Sequence, residues 1–252
     1  MGQLDGAVAV VTGGAYSLGR AFAEALAAEG AHIAIADIRD GTEAATAIAN
    51  SAGVRAESWQ VDVSDEDAVR RFAGDATERL GPATILVNNA ALFAELPRLT
   101  LEAYPADLWD KVMAINVKGP FLMAKHFAPV MRKASRGKII NIGSGTAYKG
   151  MPELSAYVTS KAAVAGLTRC LARELGADGI CVNTLAPGLI ESPSVKEHPH
   201  HLGFTERVVA SRSIQRSGVP QDLLGALVFL ASPASDFVTG QTLAVDGGSV
   251  NL

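Results

Sequence analysis

Residues 7–19, AVAVVTGGAYSLG, pass from an apolar run through a glycine-rich turn into the helical spacing of Leu18, Ala21, Phe22, Ala25 and Leu26. A short buried strand that enters a helix directly through glycines admits few folds. The helix has to cross back over a sheet before a parallel neighbour can form, which is how a doubly wound α/β domain begins. Gly13 and Gly19 let the backbone approach a diphosphate closely, and the first N–H groups of the helix, where Ser17 and Leu18 fall, face it.

The alternation continues along the chain. HIAIAD is a second apolar run ending in Asp37, about 20 residues past the turn, where a carboxylate accepts hydrogen bonds from both ribose hydroxyls of an adenosine and repels a 2′-phosphate. Arg20 and Arg39 lie nearby, but Ser17 and Ile38 occupy the positions best placed for a compensating cation, so the reading is NAD rather than NADP. Residues 42–51 are expected as a helix. ESWQVDVSD is expected as a third strand ending at Asp62 and Val63, with Ser64 capping a helix from Asp65 to Leu80. TILVNNAA is a fourth strand; the amides of Asn88 and Asn89 can pin neighbouring loops, and the small Ala90 and Ala91 leave room for a cofactor.

One long helical segment is expected over 106–132, with Asn116 inside it beside Gly119-Pro120, either a satisfied core amide or a holder of water. Lys138 to Ile142 make a fifth strand, GICVNTLAPG a sixth that runs into Pro187-Gly188, and QTLAVDGG a last one after a helix over 223–231. Strands alternating with helices, without internal repeat or linker, give one domain over 1–252: a Rossmann-type doubly wound parallel sheet of about seven strands with helices on both faces.

Chemistry concentrates between Ser144 and Lys161. Ser144 follows the fifth strand at its carboxyl end, where open α/β sheets bind ligands, and a hydroxyl there can donate to an oxygen that gains charge. The helix expected from Leu154 onward carries Tyr157 and Lys161 four residues apart, on one face. A phenol is a poor base near neutrality, but an adjacent cation favours its phenolate, so Tyr157 reads as a proton-transfer group and Lys161 as its tuner.

Composition narrows the field. At 48% hydrophobic the chain can bury a substantial core, and a net charge of −4 provides no basic field for nucleic acid or an anionic membrane. The start MGQLDGAVAVV lacks a secretory pattern, Gly6 breaks a myristoylation pattern, and no apolar run has the length of a membrane span. Cys170 and Cys181, without CxxC spacing, read as buried structural thiols, and a cytoplasmic setting is expected.

After Pro187-Gly188 an excursion over 189–217 of mixed polarity reads as a substrate lid. His198, His200 and His201 within it are not expected to hold a metal, since no carboxylate is spaced helically with them. Pocket-lining candidates such as Thr146, Met151, Leu189 and Phe204 are mostly apolar, with no evident arginine cluster, which points to a neutral, partly hydrophobic ring or chain as substrate.

Taken together, Thr12-Gly13-xxxxx-Gly19, Asp62-Val63, Asn88-Asn89-Ala90-Ala91, Asn116-Val117, Ser144, Tyr157-xxx-Lys161, Pro187-Gly188 and Val245-Asp246-Gly247-Gly248 stand in an order and spacing that resembles the short-chain dehydrogenases/reductases. The resemblance spans Leu4 to Gly248. It implies Tyr157 as general acid/base and Ser144 as the group orienting the substrate oxygen. It further implies that Lys161 lowers the Tyr157 pKa and grips the nicotinamide ribose, and that Asn116 holds a water linking Lys161 to solvent. Asp62 and Val63 would flank adenine, Asn88 and Ala90 would line the cleft, and Ile190 and Ser192 would lie near the nicotinamide amide. Leu18, Asn89, Ala91, Pro187 and Gly188 complete the cofactor set. Ser17 and Ala91 depart from family glycines, adding a hydroxyl beside the diphosphate and a methyl in the cleft.

The implied activity is NAD(H)-dependent interconversion of a secondary aryl, cyclic or ring-borne alcohol with its carbonyl, by a cytoplasmic homotetramer acting on a small molecule. The alternatives are an NADP(H)-dependent 3-ketoacyl-thioester reductase and a catalytically silent nucleotide-binding regulator.

Overall fold

The computed structural model describes residues 2–198 and 205–250. Seven strands form one sheet: β1 (Val8–Thr12), β2 (His32–Asp37), β3 (Ala56–Gln60), β4 (Ile85–Asn88), β5 (Gly137–Ile142), β6 (Ile180–Pro187) and β7 (Thr242–Val245). All pairs are parallel, in the order β3-β2-β1-β4-β5-β6-β7. The main helices are α1 (Ser17–Ala28), α2 (Thr42–Ala52), α3 (Glu66–Leu80), α4 (Ala106–Met113), α5 (Gly119–Lys133), α6 (Thr146–Lys149), α7 (Ser155–Leu175), α8 (Pro193–Lys196), α9 (Thr205–Ala210) and α10 (Gln221–Ala231).

Burial on both faces explains why the inner strands read as unbroken apolar runs. In β1, Val8 and Val10 join Leu86, Ile139 and Val182 against α3 and α5, where Trp59, Phe72 and Phe127 meet edge to face at 5.3 and 5.6 Å. Ala9 and Val11 face the other way, with Ile33, Ile35, Ile85 and Val87, onto Phe22 and Leu26 of α1 and Leu223 and Leu227 of α10. The order in which strands are added reverses between β1 and β4. The crevice outside those strand ends is the ligand-binding place of such a fold.

The structure departs from the sequence reading in five places. The N-cap of α3 is Asp65, whose carboxylate accepts from the Asp67 and Ala68 amides, and not Ser64, which bonds Asp62 instead. The third strand stops at Gln60, so Asp62 and Val63 lie on the loop beyond it. The helix over 106–132 is interrupted by a π-helical turn, Ala114–Lys118. Pro120 has no N–H for the fourth carbonyl back, and the ladder widens there. Cys170 is exposed, and Cys181 is only partly covered, its thiol meeting the Asp236 carbonyl at 3.5 Å. The excursion over 189–217 contains α8 and α9, whereas His200, His201, Leu202 and Phe204 lie outside the described residues.

Candidate active site

The carboxyl ends of β1, β2, β4, β5 and β6 open onto one cavity of about 600 Å³, within the usual range for small-molecule sites. Its dinucleotide end begins at Gly13, held at φ +63, and Gly19. A Cβ on Gly19 would sit 1.9 Å from the Gly13 carbonyl oxygen and 2.6 Å from the Asn89 amide, so only glycine lets α1 start this close to the turn. Ser17 takes a left-handed φ of 54°, which suits the glycine it replaces, and its hydroxyl meets Ser194 Oγ at 2.9 Å. Asn89 fixes the turn by donating to the carbonyls of Thr12 and Gly13 at 2.9 and 3.2 Å. Thr12 Oγ1 accepts from the amides of Asn89 and Ala90, both at 3.0 Å, a clamp that the sequence offered only as the first letter of its glycine motif.

Asp37 ends β2 with 7% exposure, its two oxygens accepting from the Ala15 and Arg39 amides at 3.0 Å each. These bonds aim the carboxylate along the wall that Ala36, Ile38 and Arg39 share. The two nearby arginines are occupied: Arg20 pairs with Glu24 and Glu43, and the Arg39 guanidinium lies 5.2 Å over the Tyr16 ring. Leu18, Asp62, Val63, Ala90, Ala91, Pro187, Gly188 and Ile190 line the same cavity. Asn88 does not. It is buried between strands, donating to Asn141 at 2.8 Å, because alternation along β4 turns it away from its neighbour Asn89. Ser192 is also set back, with its hydroxyl on Ser194, which is the residue that reaches the cavity.

At the other end Ser144, Tyr157 and Lys161 meet, with 8%, 7% and 4% exposure. Ser144 Oγ accepts from the Thr146 hydroxyl at 2.9 Å and hydrogen-bonds the Tyr157 phenol. The Lys161 ammonium donates to the Ile142 carbonyl at 2.8 Å and stands 5.7 Å from the Tyr157 ring centre. Asn116 is behind this group rather than on the cavity. Its amide donates to Leu92 O and Ser160 Oγ, both at 3.1 Å, and accepts from Leu92 N at 2.8 Å. Ser160 in turn donates to the Tyr157 carbonyl at 2.7 Å. Of the two readings of Asn116, the side chain is a satisfied amide that ties α7 to the loop after β4.

Burial pushes the Tyr157 phenol up to about 12, with the Ser144 hydrogen bond opposing it, and pushes the Lys161 ammonium down to about 8. The lowering of Tyr157 by Lys161 expected from their spacing is therefore not what this arrangement produces. The lysine head is turned to a backbone carbonyl, and the loss of water around both groups outweighs their attraction.

Thr146, Met151, Leu154 and Leu189 line the cavity, joined by Phe93 and Val208. Of the other candidates, Phe204 lies outside the described residues. The sequence reading missed Arg98, Lys111 and Lys149 on this wall, since nothing in the loop and helix spacing marks which charged side chains turn inward. Among the described residues no group of His, Cys, Asp and Glu is arranged to hold a metal, and no helix is long and apolar enough to cross a membrane.

A family profile described as enoyl-(acyl carrier protein) reductase matches residues 13–250. The cis-4-hydroxycyclohexanecarboxylate dehydrogenase of Sinomonas cyclohexanicum is 38% identical, covering 96% of this chain and 95% of its own. The chain belongs to the short-chain dehydrogenases/reductases. It is an oxidoreductase of that family, and solved structures similar to it are described with NAD+ in one case and NADPH in another. An NAD+-bound xylitol dehydrogenase superposes with TM-score 0.91 at 30% identity, covering 97% of this chain and 99% of that one. A blue fluorescent protein from a metagenomic library, in complex with NADPH, does so with TM-score 0.87 at 37% identity, covering 99% and 100%. The glycine cradle and the Asp37 carboxylate of this oxidoreductase fit a nicotinamide dinucleotide.

Proposed function

We propose that the enzyme interconverts a secondary alcohol on an aryl or cyclic framework with its carbonyl, using NAD(H), with Tyr157 as the general acid/base. The observation that carries this reading is that Asp37 and the Ser144–Tyr157 pair line one cavity, Asp37 from β2 and Ser144 from the end of β5, three places apart in the sheet. The bound nicotinamide supplies the hydride acceptor or donor, and its oxidised ring adds a positive charge that favours the phenolate. The chain does the rest. With a pKa of about 12, Tyr157 is protonated near neutrality and ready to give its proton to a carbonyl oxygen; in oxidation it takes the proton of the hydroxyl. Ser144 donates to the same oxygen as charge develops on it. Lys161 is largely protonated at neutral pH, its ammonium hydrogen-bonded to the Ile142 carbonyl and 5.7 Å from the centre of the Tyr157 ring. Asn116 holds α7 and the loop after β4 in register.

Asp37 favours NAD because a 2′-phosphate would meet a carboxylate whose backbone bonds hold it in place. A relative that acts on a hydroxycyclohexane acid and a structural neighbour that acts on xylitol both handle secondary alcohols. The test is to titrate the protein separately with NADH and NADPH, following nicotinamide emission. NADH should bind at least tenfold tighter, about 1.4 kcal/mol. Equal or tighter NADPH binding would mean that Arg39 overrides Asp37, and would bring the NADP(H)-dependent ketoacyl-thioester reductase forward.

A further inference from the structure

The loop after β4 turns Phe93, Glu95 and Arg98 onto the cavity that Ser144 and Tyr157 line. Phe93 packs on the Tyr157 ring with centroids 4.6 Å apart, and Leu92, Met151 and Leu154 extend an apolar wall from there, backed by Leu96. Arg98 stands on that wall with its side chain 12% exposed. Its placement is built into the backbone. Arg98 Nη1 lies 3.5 Å from Glu153 Oε2, and the Glu153 carbonyl accepts from the Leu99 amide at 3.1 Å. Glu153 holds a φ of +66° to make both contacts. Such a conformation is unfavourable for a side chain other than glycine and tends to occur where a ligand site demands it.

Charge points the same way. The whole chain carries −4, yet Arg98, Lys111 and Lys149 line the cavity that Ser144 and Tyr157 share with Glu95 and Asp246, with Glu153 paired to Arg98. Asp246 is turned to the Gly248 and Ser249 amides, and Lys149 donates to Ser249. A guanidinium beside apolar surface matches a planar anion that can take two parallel N–H bonds.

We propose that Arg98 is a specificity-determining residue that binds a carboxylate on the substrate, so that the alcohols oxidised are hydroxy acids in which an apolar ring or chain separates the carboxylate from the carbinol carbon. The proposal rests on the secondary-alcohol reading above. It replaces the neutral substrate expected from the sequence.

Two readouts separate the claims. The protein saturated with NADH is titrated with 4-isopropylbenzoate and with its methyl ester, neither of which can be reduced, in wild type, Arg98→Gln and Arg98→Lys. In parallel, 4-(1-hydroxyethyl)benzoate and 1-phenylethanol are offered with NAD+ and followed at 340 nm. The acid should bind at least tenfold tighter than the ester in wild type. That gap should shrink with salt, collapse in Arg98→Gln and be largely kept in Arg98→Lys, with NADH affinity equal in all three as evidence of an intact fold. Acid and ester binding alike, or a gap that survives Arg98→Gln, overturns the assignment. A gap that depends on Arg98 without turnover of either alcohol keeps it and counts against the secondary-alcohol reading; turnover of 1-phenylethanol without preference for the acid does the reverse.

Discussion

Tyr157 and Lys161 are a pair of buried titratable groups whose environments drive them apart in opposite senses. Tyr157→Phe removes the proton and leaves the ring that packs on Phe93. Turnover should fall by orders of magnitude with NADH affinity within a few-fold of wild type, and activity retained within a few-fold would remove Tyr157 from the mechanism. The same pair makes stability depend on pH. Lys161 has a folded pKa of about 8 against an ordinary 10.5, so between those values the unfolded chain binds the extra proton and stability rises with pH. Tyr157 has a folded pKa of about 12 against 10.0, so above pH 10 the folded chain holds the extra proton and stability falls. Thermal melts of the cofactor-free protein should therefore peak near pH 10. The Lys161 contribution is on the order of 3 kcal/mol, at about 1.4 kcal/mol per pKa unit. Lys161→Met should abolish the rise and leave the fall; a wild-type profile that is flat from pH 8 to 10 would contradict the burial account.

Between α4 and α5 the chain makes its least regular helical passage, and it does so where Asn116 has to reach two other segments. An uninterrupted α-helix would keep the 114–118 stretch in step with α4; the π-helical turn shifts it. The result is one amide bonded to Leu92 at both its N–H and C=O and to Ser160, one turn from Tyr157 on α7. Asn116→Ala would leave buried polar groups on both segments without partners, at about 1–3 kcal/mol each in the absence of replacement water. The expected outcome is a lowered denaturation midpoint together with a kcat reduced more than the NADH affinity. A loss of stability with kcat unchanged would confine Asn116 to the core. The existence of a helix over 106–132 and the polar oddity at Asn116 were legible in the spacing. The break was not, because it depends on what Pro120 fails to donate and on which neighbours the displaced amide meets.

At the scale of the molecule, α4, the π-helical turn, α5 and α7 leave Met113, Val117, Phe121 and Leu167 on one shallow surface, and Phe237 is fully exposed elsewhere. Exposed aromatic and aliphatic side chains of this size are costly for a monomer, and association would cover them. If the homotetramer implied by the family resemblance forms, light scattering coupled to size exclusion should give four chains per particle; a monomer at micromolar concentration would count against it. Charge substitution at Phe121, Phe121→Asp, should shift the particle to smaller species if that surface is shared.

The sequence by itself determined the architecture and brought Ser144, Tyr157 and Lys161 forward as neighbours. The apolar runs of β1, β2, β4, β5 and β6 are specified because both their faces are buried, and Gly19 is specified because a single methyl would strike the Gly13 carbonyl. Tyr157 and Lys161 were readable because their relation is local, one helical turn. Only the tertiary structure decided what depends on elements distant in the chain: that Asn88 points into the sheet while Asn89 faces the turn, that Ser194 and not Ser192 reaches the cavity, and that Arg98 is drawn onto the catalytic wall by Glu153. It also decided the proton affinities. A phenol next to a lysine in sequence suggests a lowered pKa, but the sign is set by how much water the fold removes from both.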